Sequence, residues 1–262
     1  MKKVILLTAA ILLSTTAFAQ EGELSGTVDV TFLSQYIWRG FEMYGGNMSA
    51  IQPSIDLDLY GTGLGLKVLW SRANSSGYEA DEELRYTLTY DNSLFENETY
   101  ATNYQVGWTY YDFPHVSSDH DMQEYFATLS WPEICPEGIV PSYTIIKMSA
   151  AQSNSPLNSG RFSELGGWLH VLGLGYDLTL EGLLPETPEQ ILHLSAEMWY
   201  NGGAAAAGVD HDWSHAVFGV STDFDLGYEC TLRPGVYYQS SWEDTVNRSD
   251  EFWCSVGVSY AF

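Results

Sequence analysis

The sequence predicts an all-β fold, a single antiparallel transmembrane β-barrel of about 12 strands with both termini periplasmic. Three observations carry that expectation. The chain ends on an alternating strand, 252–262, that stops on a bare aromatic, Phe262. Alternating segments recur about every twenty residues, each near the length a tilted membrane strand needs. The breaks between them also alternate in character: one set is compact and marked by Gly or Pro, the other is polar and often acidic. Short turns on one side of a membrane and longer loops on the other are the barrel rule, and an even strand count returns both termini to one side. The edge strand of a soluble sandwich is the competing reading of 252–262, but a sandwich has no reason for two-sided loops.

The N-terminus, 1–19, reads as a cleaved signal peptide. Lys2 and Lys3 supply the charged start, 4–13 the apolar run, and Ala17-Phe18-Ala19 the small-x-small cleavage site. No cysteine follows it, so a lipoprotein signal is excluded. The barrel is expected over 20–262. No later apolar run is long enough for a membrane helix.

Composition agrees. Aromatics are 15% of the chain, with 18 Tyr and 9 Trp, which suits girdles at two membrane interfaces. Acidic residues number 34 against 10 basic ones, for a formal charge of −24. Nucleic acid is disfavoured as a partner and cations are favoured. Three cysteines, Cys135, Cys230 and Cys254, are an odd number. The last two fall on lipid faces at opposite ends of neighbouring strands, so free thiols are expected.

The first segment, 24–39, puts Val28, Val30, Phe32, Tyr36 and Trp38 outward and Asp29, Thr31, Gln35 and Arg39 inward. The second, 51–60, alternates Ile51, Pro53, Ile55, Leu57 and Leu59 with Gln52, Ser54, Asp56, Asp58 and Tyr60. After the Gly61-Thr62-Gly63 turn, Leu64, Leu66, Val68 and Trp70 face out, Lys67 and Ser71 in. The fourth sets Leu84, Tyr86, Leu88 and Tyr90 against Glu83, Arg85, Thr87 and Thr89. The fifth sets Tyr104, Val106, Trp108 and Tyr110 against Asn103, Gln105, Gly107 and Thr109. The sixth and seventh, near 124–131 and 143–150, are less regular. The eighth, 161–178, is Gly-rich, as a register-switching bulge would be. The ninth restores the pattern with His193, Ser195 and Glu197 inward; the tenth and eleventh span 213–224 and 228–241. Pro53 and Pro234 lack ladder donors, which predicts local bulges. The twelfth puts Phe252, Cys254, Val256, Val258, Tyr260 and Phe262 on its lipid face. Trp253, Ser255, Gly257, Ser259 and Ala261 lie on its lumen face, expected to pair with the first strand.

The inward charges define a candidate pore wall. Asp29, Arg39, Asp56, Asp58, Lys67, Glu83 and Arg85 lie on the first four strands. Across the 61–63 turn Asp56 is expected near Lys67, and across the next loop Lys67 near Arg85. Lys147, His193, Glu197, Asp223 and Arg233 continue the wall. Such charges either line a path and set ion preference or pair and close it.

Two tripeptides, Asp119-His120-Asp121 and Asp210-His211-Asp212, sit in expected outer loops and offer oxygen and imidazole to a divalent metal. Solvated acidic loops are the plainer reading, and no metal or cofactor is assigned. Catalysis has little support. There is no G-x-S-x-G, zinc helix or phosphate loop. Ser214-His215, with Asp212 beside them, is the nearest pair, but strand neighbours point to opposite faces.

The stretch Phe32-Leu-Ser-Gln-Tyr-Ile-Trp-Arg-Gly40, followed by Ala50-Ile-Gln-Pro-Ser-Ile55 and a Gly-rich third strand, resembles the TorF-like porin family. That resemblance implies a small outer-membrane β-barrel of channel function without a defined substrate. It places Trp38 and Arg39 at the rim, at the end of the first strand. The resemblance of the closing strand implies recognition by the barrel-assembly machinery. The expected function is therefore an outer-membrane porin for small polar or cationic solutes, with outer-membrane lipid and lipopolysaccharide around it. A closed structural or adhesive barrel with cation-binding loops is the alternative, and a rim lipid hydrolase a weaker one. The open side of any path is expected along Ser255, Gly257, Ser259 and Ala261.

Overall fold

The computed structural model describes residues 22–135, 138–152, 166–182, 189–204 and 212–262. The expected signal segment lies outside them. Twelve antiparallel strands close into one barrel. They are β1 (Ser25–Leu33), β2 (Ala50–Asp58), β3 (Leu64–Ala73), β4 (Glu83–Leu94), β5 (Thr102–Asp112) and β6 (Met122–Ser130). There follow β7 (Val140–Ala150), β8 (Gly166–Glu181), β9 (Glu189–Ala204), β10 (Asp212–Thr222), β11 (Cys230–Ser241) and β12 (Glu251–Ala261). A short segment, Phe224–Gly227, extends β10 along β11. Each strand pairs with its sequence neighbours, and β12 returns to β1, with Thr27 opposite Ala261 and Leu33 opposite Ser255. That last ladder leaves no free edge.

Period-two alternation decides which side chains face out. Val28, Val30 and Phe32 of β1 and Phe252, Val256, Val258 and Tyr260 of β12 are 42% to 63% exposed. A continuous apolar face of this kind needs a cover other than water. Inside, small and polar residues leave room.

The compact connections gather at one end with Ser25 and Phe262, called here the turn end; the longer ones form the loop end. Gly227 and Cys230 are joined by Tyr228 and Glu229, both left-handed (φ 55° and 60°). A two-residue hairpin selects that mirror-image turn because its twist matches the strands.

Four expectations change. β1 stops at Leu33, and residues 34–49 leave the wall. β8 runs unbroken, in constant register with β9 from Trp168 to Glu181. Its glycines serve close packing: a Cβ at Gly173 would meet Ser142 Oγ at 2.3 Å. Neither proline shifts the register, since Pro53 sits opposite Val30 and Pro234 opposite Val256. Register shifts instead occur in β10, where Trp199 faces His215 while Tyr200 faces Trp213, so Ser214 is the extra residue, and in the 224–227 extension between Asp225 and Gly227.

Candidate functional site

The loop end is filled by the chain's own first loop. Past β1 the backbone turns inward and forms a short hairpin, Ile37–Trp38 against Phe41–Glu42. Arg39 (φ 52°) and Gly40 (φ 94°) make its tip. A Cβ at Gly40 would lie 2.6 Å from the His215 ring, so this tip is accessible only to glycine. Tyr36 and Trp38 are buried rather than lipid-facing, at 4% and 8% exposure, and Tyr44 of the same loop is fully buried. With Tyr111, Ile146, Met148, Leu169, Val171 and Trp199 of the wall they form the main apolar cluster. Trp38 meets Tyr111 edge-on at 5.6 Å.

Polar anchors tie the hairpin to most of the circumference. Tyr36 donates its hydroxyl to Glu83 Oε1 of β4 at 2.6 Å. Arg39 Nη2 donates to Glu124 Oε2 of β6 at 3.1 Å and lies over the Trp199 ring of β9 at 5.1 Å. Tyr44 and Ser71 of β3 share a hydrogen bond of 3.2 Å. Gln239 of β11 donates to the Gly40 carbonyl at 2.9 Å, and Gln35 donates to Glu251 of β12 at 2.8 Å. Arg85 pairs with Glu83 and packs against the faces of Tyr36, Trp38 and Tyr111. Burial opposes the Arg39 charge, but Glu124, Tyr111 and Glu197 outweigh it and hold its pKa above the ordinary arginine value. Six atoms of this cluster, Trp38 Nε1, Arg39 Nε, Arg85 Nε, Glu83 Oε2, Glu124 Oε1 and Gln239 Oε1, are buried without a protein partner among the described residues.

Below the hairpin a cavity of about 950 Å³ runs along β1, β2, β3, β11 and β12 to the turn end. Its walls carry Asp29, Asp56, Asp58, Lys67 and Arg233 among hydroxyls such as Thr31 and Ser54. The small face of β12, Ser255, Gly257, Ser259 and Ala261, forms one side. Leu33, Tyr36, Ile37 and Trp253 close it towards the loop end, with Trp253 stacked on Tyr237 at 5.4 Å. The small wall therefore does border the open space, and the hairpin and Trp253 cap it.

The charges expected on one wall separate into four places. Lys67 faces Asp56 at 3.3 Å, as the 61–63 turn requires. Arg85 does not join them: Lys67 stands opposite Thr87, and Arg85 turns to the hairpin with Glu83. Arg39, expected on the inner face of the first strand and at its rim, lies beyond that strand in the hairpin tip. At the turn end Arg233 holds Asp223 by two hydrogen bonds, one of 2.7 Å, and His193 lies 2.7 Å from Asp177 and 3.6 Å from Asp223. Glu197 accepts from the Trp199 indole at 2.9 Å. Lys147 faces outward. It pairs in register with Tyr125 and Trp168, both strongly exposed, and lies 5.0 Å from the Trp168 ring. Ile146 and Met148 take the inward positions of β7, which moves that strand's phase by one residue from the expected one.

Ser214 and His215 also differ from expectation. The bulge rotates both inward, so Ser214 Oγ lies 2.9 Å from His215 Nδ1. Each is 1% exposed, and the His215 ring stacks on Trp199 at 5.3 Å under Gly40. The pair thus seats the hairpin. Asp121 is buried, accepting from the Tyr110 hydroxyl at 2.6 Å and the Phe113 amide at 3.2 Å, while Asp119 contacts His120. Asp210 and His211 lie outside the described residues, and Asp212 accepts from the Trp213 amide. Among the described residues no three His, Cys, Asp or Glu side chains gather in metal-binding geometry.

The hairpin was the part of the site hidden from sequence reasoning. Its signals were Gly40 and Gly45-Gly46 in a segment whose aromatics fit outward strand positions equally well.

No protein-family model and no curated protein matches the sequence. Solved structures match in fold. The KdgM porin gives a TM-score of 0.53 at 10% identity, over 90% of this chain and 99% of that one. The NanC porin gives 0.53 at 10% identity, over 89% and 98%. KdgM porin in complex with disordered oligogalacturonate gives 0.52 at 10% identity, over 90% and 99%. At that identity the likeness is one of architecture, and the chain shares the closed 12-stranded barrel fold of these outer-membrane porins.

Proposed function

We propose that the chain is an outer-membrane channel of the porin type, passing small polar or cationic solutes by diffusion. In this reading 1–19 is the export signal, the turn end and both termini are periplasmic, and lipid and lipopolysaccharide cover the apolar outer face. The closing strand is what the assembly machinery reads. A place in the TorF-like family belongs to the same proposal, on the strength of the 32–40 and 50–55 segments. The observation that carries it is the cavity: a charged, hydroxyl-lined space of about 950 Å³ inside a closed barrel, open towards the turn end. Fully filled small barrels have no such space.

The hairpin of residues 34–49 is then the constriction. Its aromatic and ionic contacts hold it in the lumen, and its release would open the path. Planar-bilayer recording of the refolded chain tests the proposal. Discrete steps with cation preference support it, and silence at every voltage, in the native chain and in one lacking residues 37–42, refutes it. A permanently closed barrel is the second reading, favoured by the number of hairpin anchors, and predicts that silence.

A further inference from the structure

The geometry points to small organic ammonium compounds as the solutes that this cavity binds, with the ammonium at Asp29 and an apolar body under the hairpin cap. The inference rests on the channel reading only for how the solute arrives.

The charges of the cavity are not equivalent. Lys67 is committed to Asp56, and Arg233 to Asp223 through two hydrogen bonds. Among the described residues Asp29 makes no salt bridge; the Arg233 guanidinium, bound to Asp223, acts on it only at longer range. One of its oxygens accepts from Thr31 Oγ1 at 2.7 Å. The other stands over Gly257, where even a Cβ would come within 3.3 Å of it. Its register partners are Ser54 and Ser259, so small hydroxyl residues flank it along the wall. A carboxylate with hydroxyls around it is a seat for a charged N–H donor. Asp58 at the mouth adds a second negative charge that draws cations inward.

The blind end has the opposite chemistry. Leu33, Tyr36, Ile37 and Trp253 close it with apolar and aromatic surface. Leu33 is four residues along β1 from Asp29, or about 13 Å at about 3.3 Å per residue. An inorganic cation would use only the carboxylate. A polyanion, such as the oligogalacturonate of the KdgM complex, would meet two basic groups already neutralised and an unpaired carboxylate. A compact amine with a hydrocarbon or aromatic body uses both ends of the space.

Three probes with the same body and different charge test this: phenethylamine, 2-phenylethanol and phenylacetate. Each is titrated calorimetrically against the mature chain in lipid nanodiscs. Saturable binding of the amine alone is expected. Asp29→Asn should weaken it about tenfold or more, and Trp253→Leu should weaken it without restoring the alcohol or the acid. Equal binding of amine and alcohol to the native chain overturns the inference, and this comparison needs no variant to fold. An Asp29→Asn chain that binds the amine as tightly as the native one also overturns it. Bilayer recording separates the two proposals. Conductance without amine binding sinks this inference and leaves the channel; amine binding without conductance does the reverse.

Discussion

Arg39 and Glu124 join the tip of the first loop to the opposite half of the barrel wall, Nη2 to Oε2 at 3.1 Å, with the Glu124 side chain only 1% exposed. A buried carboxylate left alone is costly, so the pair makes the hairpin's position nearly all-or-none. Arg39→Ala should destabilise the docked hairpin by about 3 kcal/mol. On the channel reading, mean conductance should rise several-fold. Bilayer recordings of Arg39→Ala and Glu124→Gln check this, and conductance unchanged from the native chain in both would show that the hairpin does not limit flow.

Gly40 allows a separate test of the seat. A methyl group there collides with His215, and the left-handed backbone adds strain. Gly40→Ala should cost about 1 to 3 kcal/mol. The temperature at which the folded barrel converts to the slower-migrating unfolded band on gels should fall by several degrees. An unchanged transition would contradict the tight approach to His215.

Lys67 and Asp56 are both roughly half exposed in the cavity, so their pairing contributes well under about 1 kcal/mol to stability. Their effect on permeation should be larger than their effect on folding. Asp56→Asn removes one negative charge and frees a positive one. The reversal potential under a KCl gradient should move towards anion preference, with the unfolding transition little changed.

Lys147 provides the contrast. Its register partners Tyr125 and Trp168 place it on the outer surface. Lys147→Ala should leave reversal potential and conductance at native values, whereas Lys67→Ala should strengthen cation preference. A shift of equal size from both would mean that β7 runs one residue out of the described register.

The barrel was legible because period-two alternation is a local property. β2, β3, β4 and β12 each carry it without interruption, and their inward and outward faces follow residue by residue. The misplaced residues share a physical cause. Tyr36 and Trp38 continue the alternation of β1 beyond Leu33, but burial inside the lumen competes with exposure to lipid for the same aromatic side chains. Nothing local distinguishes the two outcomes. Lys147 depends on the phase of β7, where Ile146 and Met148 pack into the filled side of the lumen, and a one-residue change inverts every side chain. Ser214 and His215 meet only because of a bulge whose partner strand lies elsewhere in the chain. The charges divided for a similar reason: Arg85 is drawn from Lys67 by a loop that had no assigned position.

Gln35 and Glu251 are 216 positions apart and meet at the hairpin's base, 2.8 Å from donor to acceptor. Ser34 and Cys254 meet beside them, the Cys254 amide donating to Ser34 Oγ at 2.8 Å. The seat of the first loop is therefore completed by the last strand. During assembly the loop emerges early, yet its partners Glu251 and Cys254 arrive only when β12 zips onto β1. Contacts of such long sequence separation form late, after the intervening chain is ordered. The base of the lumen's obstruction is thus completed in the same step that seals the wall.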